Sequence, residues 1–157
     1  MKHLSLLLLS IILSLTASAQ QPGNNLRKSL AQIQQAFPNL KFGREEKGYQ
    51  IYRSDGDDED FTSFYFSNGR LVGEYTYIFD YSGSRYITDL YNSLMSNFAK
   101  YGGKHKRSQS SNYDVTFFYY SDFIVKIANY QTQLQIYYEL NGYQININAL
   151  QARPPRY

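Results

Sequence analysis

The sequence predicts an α+β domain made of two tandem helix-plus-antiparallel-meander units, with the helices packed on one face of an antiparallel sheet. Three observations carry this. Phe61 to Phe79, FTSFYFSNGRLVGEYTYIF, places Asn68-Gly69 between two runs of alternating side chains, the signature of a two-residue hairpin. The chain holds 17 Tyr and 10 Phe with no Trp, a composition suited to pleated strands. Only two stretches repeat apolar residues at helical spacing, and each precedes a strand-rich region.

The amino-terminal stretch joins Met1-Lys2-His3 to the apolar run Leu4 to Leu15 and then to the small residues Ala17-Ser18-Ala19. That order reads as a secretory signal cleaved after Ala19, residues 1–19. A membrane anchor is the competing reading, but Leu4 to Leu15 is too short to cross roughly 30 Å of hydrocarbon. With no cysteine, an acylated lipoprotein anchor is excluded and no disulfide is expected. The expected location is secreted or periplasmic, in a bacterial setting, with no stable membrane insertion after cleavage. Sixteen basic against 13 acidic residues give a net charge of +3, too slight to argue for nucleic acid. Residues 20–150 are expected to form one domain, with units at about 24–80 and 84–150, and 151–157 a flexible tail ending Arg153-Pro154-Pro155-Arg156-Tyr157.

The first helix is expected over Leu26, Leu30, Ile33 and Phe37, capped by Asn25 and stopped by Pro38. Leu40 to Phe42 is compatible with an extended segment and Tyr49 to Arg53 reads as a strand, followed by the acidic run Ser54 to Asp60. In the hairpin, a two-residue turn pairs Phe66 with Leu71, Tyr65 with Val72, Phe64 with Gly73, Ser63 with Glu74 and Thr62 with Tyr75. Ile87, Leu90, Tyr91, Leu94, Phe98 and Tyr101 mark the second helix, ended by Gly102-Gly103 with Lys100 near its carboxyl end. Strands are then expected at Tyr113–Tyr120, Phe123–Tyr130 and Gln133–Leu140. A final hairpin about Asn141-Gly142 sets Leu140 opposite Tyr143, Tyr138 opposite Ile145 and Ile136 opposite Ile147. Its other face, Gln135, Tyr137, Glu139, Gln144, Asn146 and Asn148, has the polar pattern of a sheet covered on one side.

One offset superposes Leu26, Leu30, Ile33 and Phe37 on Ile87, Tyr91, Leu94 and Phe98. A shorter offset superposes Thr62–Ser67 on Thr116–Ser121, and the difference equals the length of Ser54–Asp60, which suggests an acidic insertion in the first of two repeats. This order of elements resembles the architecture of β-lactamase-inhibitor-like and PepSY-like secreted domains. The resemblance covers the order of elements in the mature chain and implies a tandem α+β layout. No residue motif of those families is placed here, and the missing cysteines depart from the disulfide-bearing inhibitor.

Among site candidates, Asp55, Asp57 and Glu59 stand at alternate positions where hard oxygen ligands can collect calcium. The helix-loop-helix calcium pattern fails, because Asp60 occupies the glycine position and Phe66 that of the bidentate glutamate, so a solvated hairpin loop is favoured over weak calcium binding. Lys104-His105-Lys106-Arg107 can meet an acidic partner, or protect an edge strand from unwanted pairing, which is the favoured role. His105 is the single histidine after cleavage, and no nucleophile elbow, paired metal-ligand histidines or Gly-rich phosphate loop is present. Glu74 with Glu139 is an unremarkable carboxylate pair. An enzyme is therefore not expected, nor a cofactor.

With Phe64, Phe66, Leu71, Phe118, Phe123, Val125, Leu134, Ile136 and Tyr138 toward the helices, Tyr65, Val72, Phe117, Tyr119, Ile124 and Tyr137 point the other way. A Tyr-rich patch with a polar rim suits a protein or peptide partner, although Tyr also serves simply to cover a sheet. The expected function is an exported soluble non-catalytic binding module. The alternatives are a small outer-membrane β-barrel, which shares the export signal and alternating strands, and a carbohydrate-binding or hydrolytic domain.

Overall fold

In the computed structural model, which describes residues 22–56, 60–80, 85–109, 113–130, 132–143 and 145, the strands form one continuous antiparallel sheet of eight. The elements in chain order are α1 (Leu30–Ala36), β1 (Lys41–Glu46), β2 (Tyr49–Asp55), β3 (Phe61–Ser67), β4 (Arg70–Phe79), α2 (Tyr86–Lys100), β5 (Lys104–Gln109), β6 (Asp114–Tyr119), β7 (Phe123–Asn129) and β8 (Gln133–Leu140). The sheet order is β1-β2-β3-β4-β8-β7-β6-β5. The signal segment 1–19 and the tail 151–157 lie outside the described residues.

This corrects the expected fold class. β4 and β8 pair from Gly73↔Glu139 through Phe79↔Gln133, so no boundary separates two units, and strand greatly exceeds helix. The strand match behind the proposed repeat also fails: Thr62–Ser67 lies in the third strand after α1, whereas Thr116–Ser121 begins in the second strand after α2. Similar Tyr- and Phe-rich wording arose because both segments need aromatic side chains between neighbours, not because they occupy equivalent places. The order leaves β1 and β5 as two edges, and among the described residues no pairing joins them into the closed wall that a membrane barrel requires.

The hairpin turn forms as its chemistry dictates. Asn68 and Gly69 adopt φ of 49° and 71°, the two positive angles of a type I′ turn, and Ser67 faces Arg70. Past Phe66↔Leu71 the register departs from expectation: Tyr65 pairs with Gly73, leaving Val72 as a bulge, so Phe64 meets Glu74, Ser63 meets Tyr75 and Thr62 meets Thr76. Every β4 residue beyond the bulge changes face. Lys47-Gly48, at φ 52° and 81°, makes a second tight hairpin between β1 and β2 that the sequence reading did not anticipate.

Of the final hairpin, residues 144 and 146–148 lie outside the described residues, and Tyr143 and Ile145 are not paired with β8 as a strand. Tyr143 N–H does donate to the Leu140 carbonyl, at 3.3 Å. Both edges of β8, however, are already taken by β4 and β7, so no ladder position is left for Tyr143 and Ile145. Ile145 is instead buried, and Gly73 has no side chain because a Cβ there would collide with the Ile145 Cδ1.

Both helices pack on one face of the sheet. In α2, Ile87, Tyr91, Leu94 and Phe98 recur at three- and four-residue intervals and are buried with Ile78, Phe118, Val125, Ile127, Leu134 and Ile136. Gly102, at φ 74°, follows its last turn, and Lys100 sits where the helix dipole favours a cation. In α1, Ile33 packs with Phe64, Phe66 and Leu71, and the Phe37 and Phe64 rings lie 4.7 Å apart. Its cap is Ser29, not Asn25: Ser29 and Gln32 make a reciprocal capping box. Arg27, at φ 72°, breaks any helical path from Leu26, so residues 22–28 form turns fastened to β4 by Arg27 N–H to Leu71 O (2.7 Å) and Leu71 N–H to Lys28 O (2.9 Å).

Candidate functional site

The face away from the helices is where the sequence placed the binding residues, and register decides what that face contains. From β2 to β5 it carries Ile51 and Arg53; Phe61, Ser63 and Tyr65; Gly73, Tyr75, Tyr77 and Phe79; Gln135, Tyr137 and Glu139; Ile124, Lys126 and Ala128; Val115, Phe117 and Tyr119; and finally Lys104, Lys106 and Ser108. The Val72 bulge brings Tyr75 and Tyr77 here and sends Glu74 to the helix side. Glu74 and Glu139 thus sit on opposite faces and do not form a pair.

The middle of this face is a second core rather than a surface. Tyr65, Val72 and Tyr137 are only 4%, 1% and 2% exposed, in a cluster with Ile51, Tyr75, Tyr77 and Ile145. Phe61 stacks on Tyr77 at 5.3 Å and meets Tyr75 edge-on at 5.7 Å, while the Arg53 guanidinium lies 4.0 Å from the Phe61 ring centre. The one-sided polar pattern expected around Gln135, Tyr137 and Glu139 is corrected accordingly: neighbouring aromatics and Ile145 cover it. Burial pushes the Tyr65 hydroxyl up to about 12. Burial also raises Tyr137, whose hydroxyl donates to the Glu139 carboxylate, and raises Glu139 against the opposing effect of that bond.

Lys126, at 6% exposure, stands between Phe117 of β6 and Tyr137 of β8, and burial lowers its pKa. Among the described residues it has no ion-pair partner. On the helix side, burial raises the pKa of half-buried Glu74, countered by a 3.2 Å hydrogen bond from Asn25 Nδ2 and by the charge of Lys28. Neither residue was singled out from sequence for such an environment; a charged residue flanked by apolar ones in a strand, as in Ile124-Val125-Lys126-Ile127, was the available signal.

The accessible part of the expected site lies at the β5 end. Tyr119 is 42% exposed, with Phe117 and Ile124 half-buried beside it, and the Phe117 and Tyr119 rings are near-parallel at 6.3 Å. The register sets exposed Lys104 opposite Tyr119 and exposed Lys106 opposite Phe117, which makes a basic rim along the aromatic strip. The structure therefore brings Phe117, Tyr119 and Ile124 together at the surface and draws Tyr65, Val72 and Tyr137 beneath it.

Of the calcium candidates, Asp57 and Glu59 lie outside the described residues, and Asp55 is exposed and ion-paired to Arg53. Asp60 closes the loop: its carboxylate accepts from Phe79 N–H at 2.7 Å and its carbonyl from Gly56 N–H at 2.7 Å. His105 points to the helix side, with its ring 6.0 Å from Phe118. Among the described residues, no group of three or more His, Cys, Asp or Glu side chains is placed to hold a metal, and no helix is long and apolar enough to cross a membrane.

No protein-family model and no curated protein matches the chain. Among solved structures, a cysteine-rich secretory protein from Staphylococcus aureus subsp. aureus Mu50 is similar with a TM-score of 0.51 and 11% identity, over 82% of this chain and 49% of that one. An extracellular protein containing a SCP domain, from Bacillus anthracis str. Ames, aligns over 79% of this chain and 47% of its own, with 11% identity and a TM-score of 0.45. The chain thus spans about half the length of each, and at this identity the likeness to the Staphylococcus protein concerns the fold alone.

Proposed function

We propose that the chain is an exported, soluble, non-catalytic binding module that engages a protein or peptide partner at the β5 end of its second sheet face. The observation that carries this is the stacked Phe117–Tyr119 pair, its Tyr119 exposed and its Phe117 half-buried beside Ile124, bordered by Lys104 and Lys106. Aromatic rings contribute contact area with little conformational entropy to lose, and a charged rim confers selectivity, which is the composition of protein-binding surfaces. Tyr65, Val72 and Tyr137 lie buried elsewhere along the sheet, on β3, β4 and β8, and take no part in touching the partner. Export is supported by the signal-like residues 1–19 and by the secretory description of the Staphylococcus protein of similar fold.

Capture from a periplasmic or culture-medium extract tests this, using wild type and a Phe117→Ser/Tyr119→Ser variant. A partner retained by the wild type and lost by the variant, with both proteins equally folded by circular dichroism, is the expected result. Equal capture by both would sink the proposal.

A further inference from the structure

The two edges of the sheet are built differently. On β1 the ladder is interrupted between Phe42 and Arg44, a bulge that twists an edge away from a new strand, and Arg44 is paired to Glu46. On β5 all six residues pair with β6 without a break, from Lys104↔Tyr119 to Gln109↔Asp114, and every β5 residue is exposed.

Which backbone groups of β5 remain free follows from the neighbouring turn. Tyr120 N–H donates to Phe123 O at 3.0 Å, which makes this the first hydrogen-bonded pair of the β6–β7 hairpin. Hydrogen-bonded and non-bonded pairs alternate along an antiparallel ladder. Phe118, Thr116 and Asp114 therefore bond to β7, and Tyr119, Phe117 and Val115 bond toward β5. Their partners Lys104, Lys106 and Ser108 turn their backbone groups inward. His105, Arg107 and Gln109 turn theirs outward, and among the described residues no strand pairs with that edge.

Side chains set the charge of this edge. Arg107 is ion-paired to Asp114 on the helix side, but Lys104 and Lys106 have no ion pair among the described residues and stand on the aromatic-strip side. A second copy of β5 laid against this edge would set lysine near lysine, which is unfavourable in a directly opposed pair. An acidic residue at the same place lies about 5 Å away, Cβ to Cβ, within reach of the ammonium group.

We infer that β5 accepts an extended acidic peptide as a ninth antiparallel strand, hydrogen-bonded to the outward backbone of His105 and Arg107, with alternate carboxylates beside Lys104 and Lys106. Those carboxylates stand on the same face as Phe117 and Tyr119, one strand beyond Lys104 and Lys106, so the inference rests on the binding-module reading and names its partner's charge and conformation. Main-chain pairing supplies affinity and the alternating side chains supply selectivity.

The test uses the full chain and a synthetic acetylated octapeptide of alternating Glu and Val, its Lys-for-Glu counterpart, and a version N-methylated at alternate residues on the pairing edge. The expected result is binding of the acidic peptide with slowed amide exchange at His105 and Arg107. Binding should weaken about tenfold or more on N-methylation, which removes two or three interstrand bonds. Lys104→Glu/Lys106→Glu should weaken it comparably and exchange the preference to the Lys peptide. Equal binding of the N-methylated peptide, protection at β1 instead, or dimerisation of the chain through β5 would overturn the inference. Loss of binding in Tyr119→Ser with no effect of N-methylation overturns the added strand while leaving the aromatic-face reading standing; dependence on N-methylation with no effect of Tyr119→Ser or Phe117→Ser supports the added strand and removes the aromatic face.

Discussion

Replacing Lys126 with Met should make the protein more stable at neutral pH. The side chain is 6% exposed, its cross-strand neighbours are Phe117 and Tyr137, and no ion pair among the described residues compensates its ammonium. A charge removed from water without a partner costs stability, whereas Met fills the volume of the lysine stem without that cost. Replacing buried charges by apolar side chains of similar size has gained about 1–4 kcal/mol elsewhere. That range comes from buried pairs and triads, so a single lysine belongs at the lower end, about 1–2 kcal/mol, or a rise of about 2–8 °C in Tm at this chain length. The pH dependence is the sharper readout. Burial lowers the folded-state pKa of Lys126 below that of the unfolded chain, about 10.4. Below the lowered value lysine is charged in both states and the full penalty is present. As pH rises through it, the native state releases its proton while the unfolded state keeps one, so wild-type stability rises relative to Lys126→Met and the gap closes. Urea unfolding of both proteins at a series of pH values from about 7 to 10 reads this directly. A variant less stable than wild type at neutral pH, or a gap independent of pH, would mean that Lys126 carries no burial penalty.

Three further substitutions probe separate parts of the fold. Phe64→Ala empties a fully buried position between α1 and the sheet and should cost about 3–5 kcal/mol, seen as a lower urea midpoint with unchanged slope. Ser29→Ala removes the acceptor of the α1 capping box and should cost about 0.5–2 kcal/mol in thermal unfolding, more than Asn25→Ala costs if the cap lies where the backbone puts it. Glu74→Gln keeps an acceptor for Asn25 and removes a carboxyl whose folded-state pKa is raised by burial. Wild type should gain stability as pH falls from neutral through that raised value toward about 4.3, and the variant should lack this component of the gain; identical pH profiles would place Glu74 in solvent.

What the sequence made legible was local chemistry, and what it concealed was non-local. The Asn68-Gly69 turn follows from two residues that tolerate positive φ, and the second helix from an uninterrupted apolar stripe closed by Gly102. The Val72 bulge is different in kind. Val-Gly-Glu-Tyr reads equally well in either register, and the choice is made by Ile145, which requires Gly73 beneath it, and by β8, which must align Tyr137 with Tyr75. Asn141-Gly142 shows the same limit: its turn hydrogen bond forms, yet hairpin propagation depends on a free edge of β8 that β4 occupies. At the candidate site, Phe117, Tyr119 and Ile124 were legible because alternation holds without a bulge through β6 and β7. Tyr65, Val72 and Tyr137 were assigned to the correct strands but to an exposed surface, whereas the structure buries them, since which part of a face is covered depends on residues far away in sequence.

The same contrast explains why charge can be informative at β5 and not at β1. A charged edge strand is ordinarily protective, and at β1 the protection is redundant: a bulge breaks the ladder, Arg44 is neutralised by Glu46, and Arg53 one strand further in is neutralised by Asp55. At β5 the ladder is unbroken, so charge alone must prevent unwanted pairing. Protection by geometry rejects every strand alike, whereas protection by like charge rejects only basic or apolar strands and favours one of opposite sign. An edge that only had to be closed could have carried a bulge, as β1 does. Lys104 and Lys106 on a regular ladder beside half-buried Phe117 and exposed Tyr119 instead leave β5 closed to its own kind and open to an acidic segment, and that selectivity should fade with rising salt, because exposed charges are screened while main-chain bonds are not.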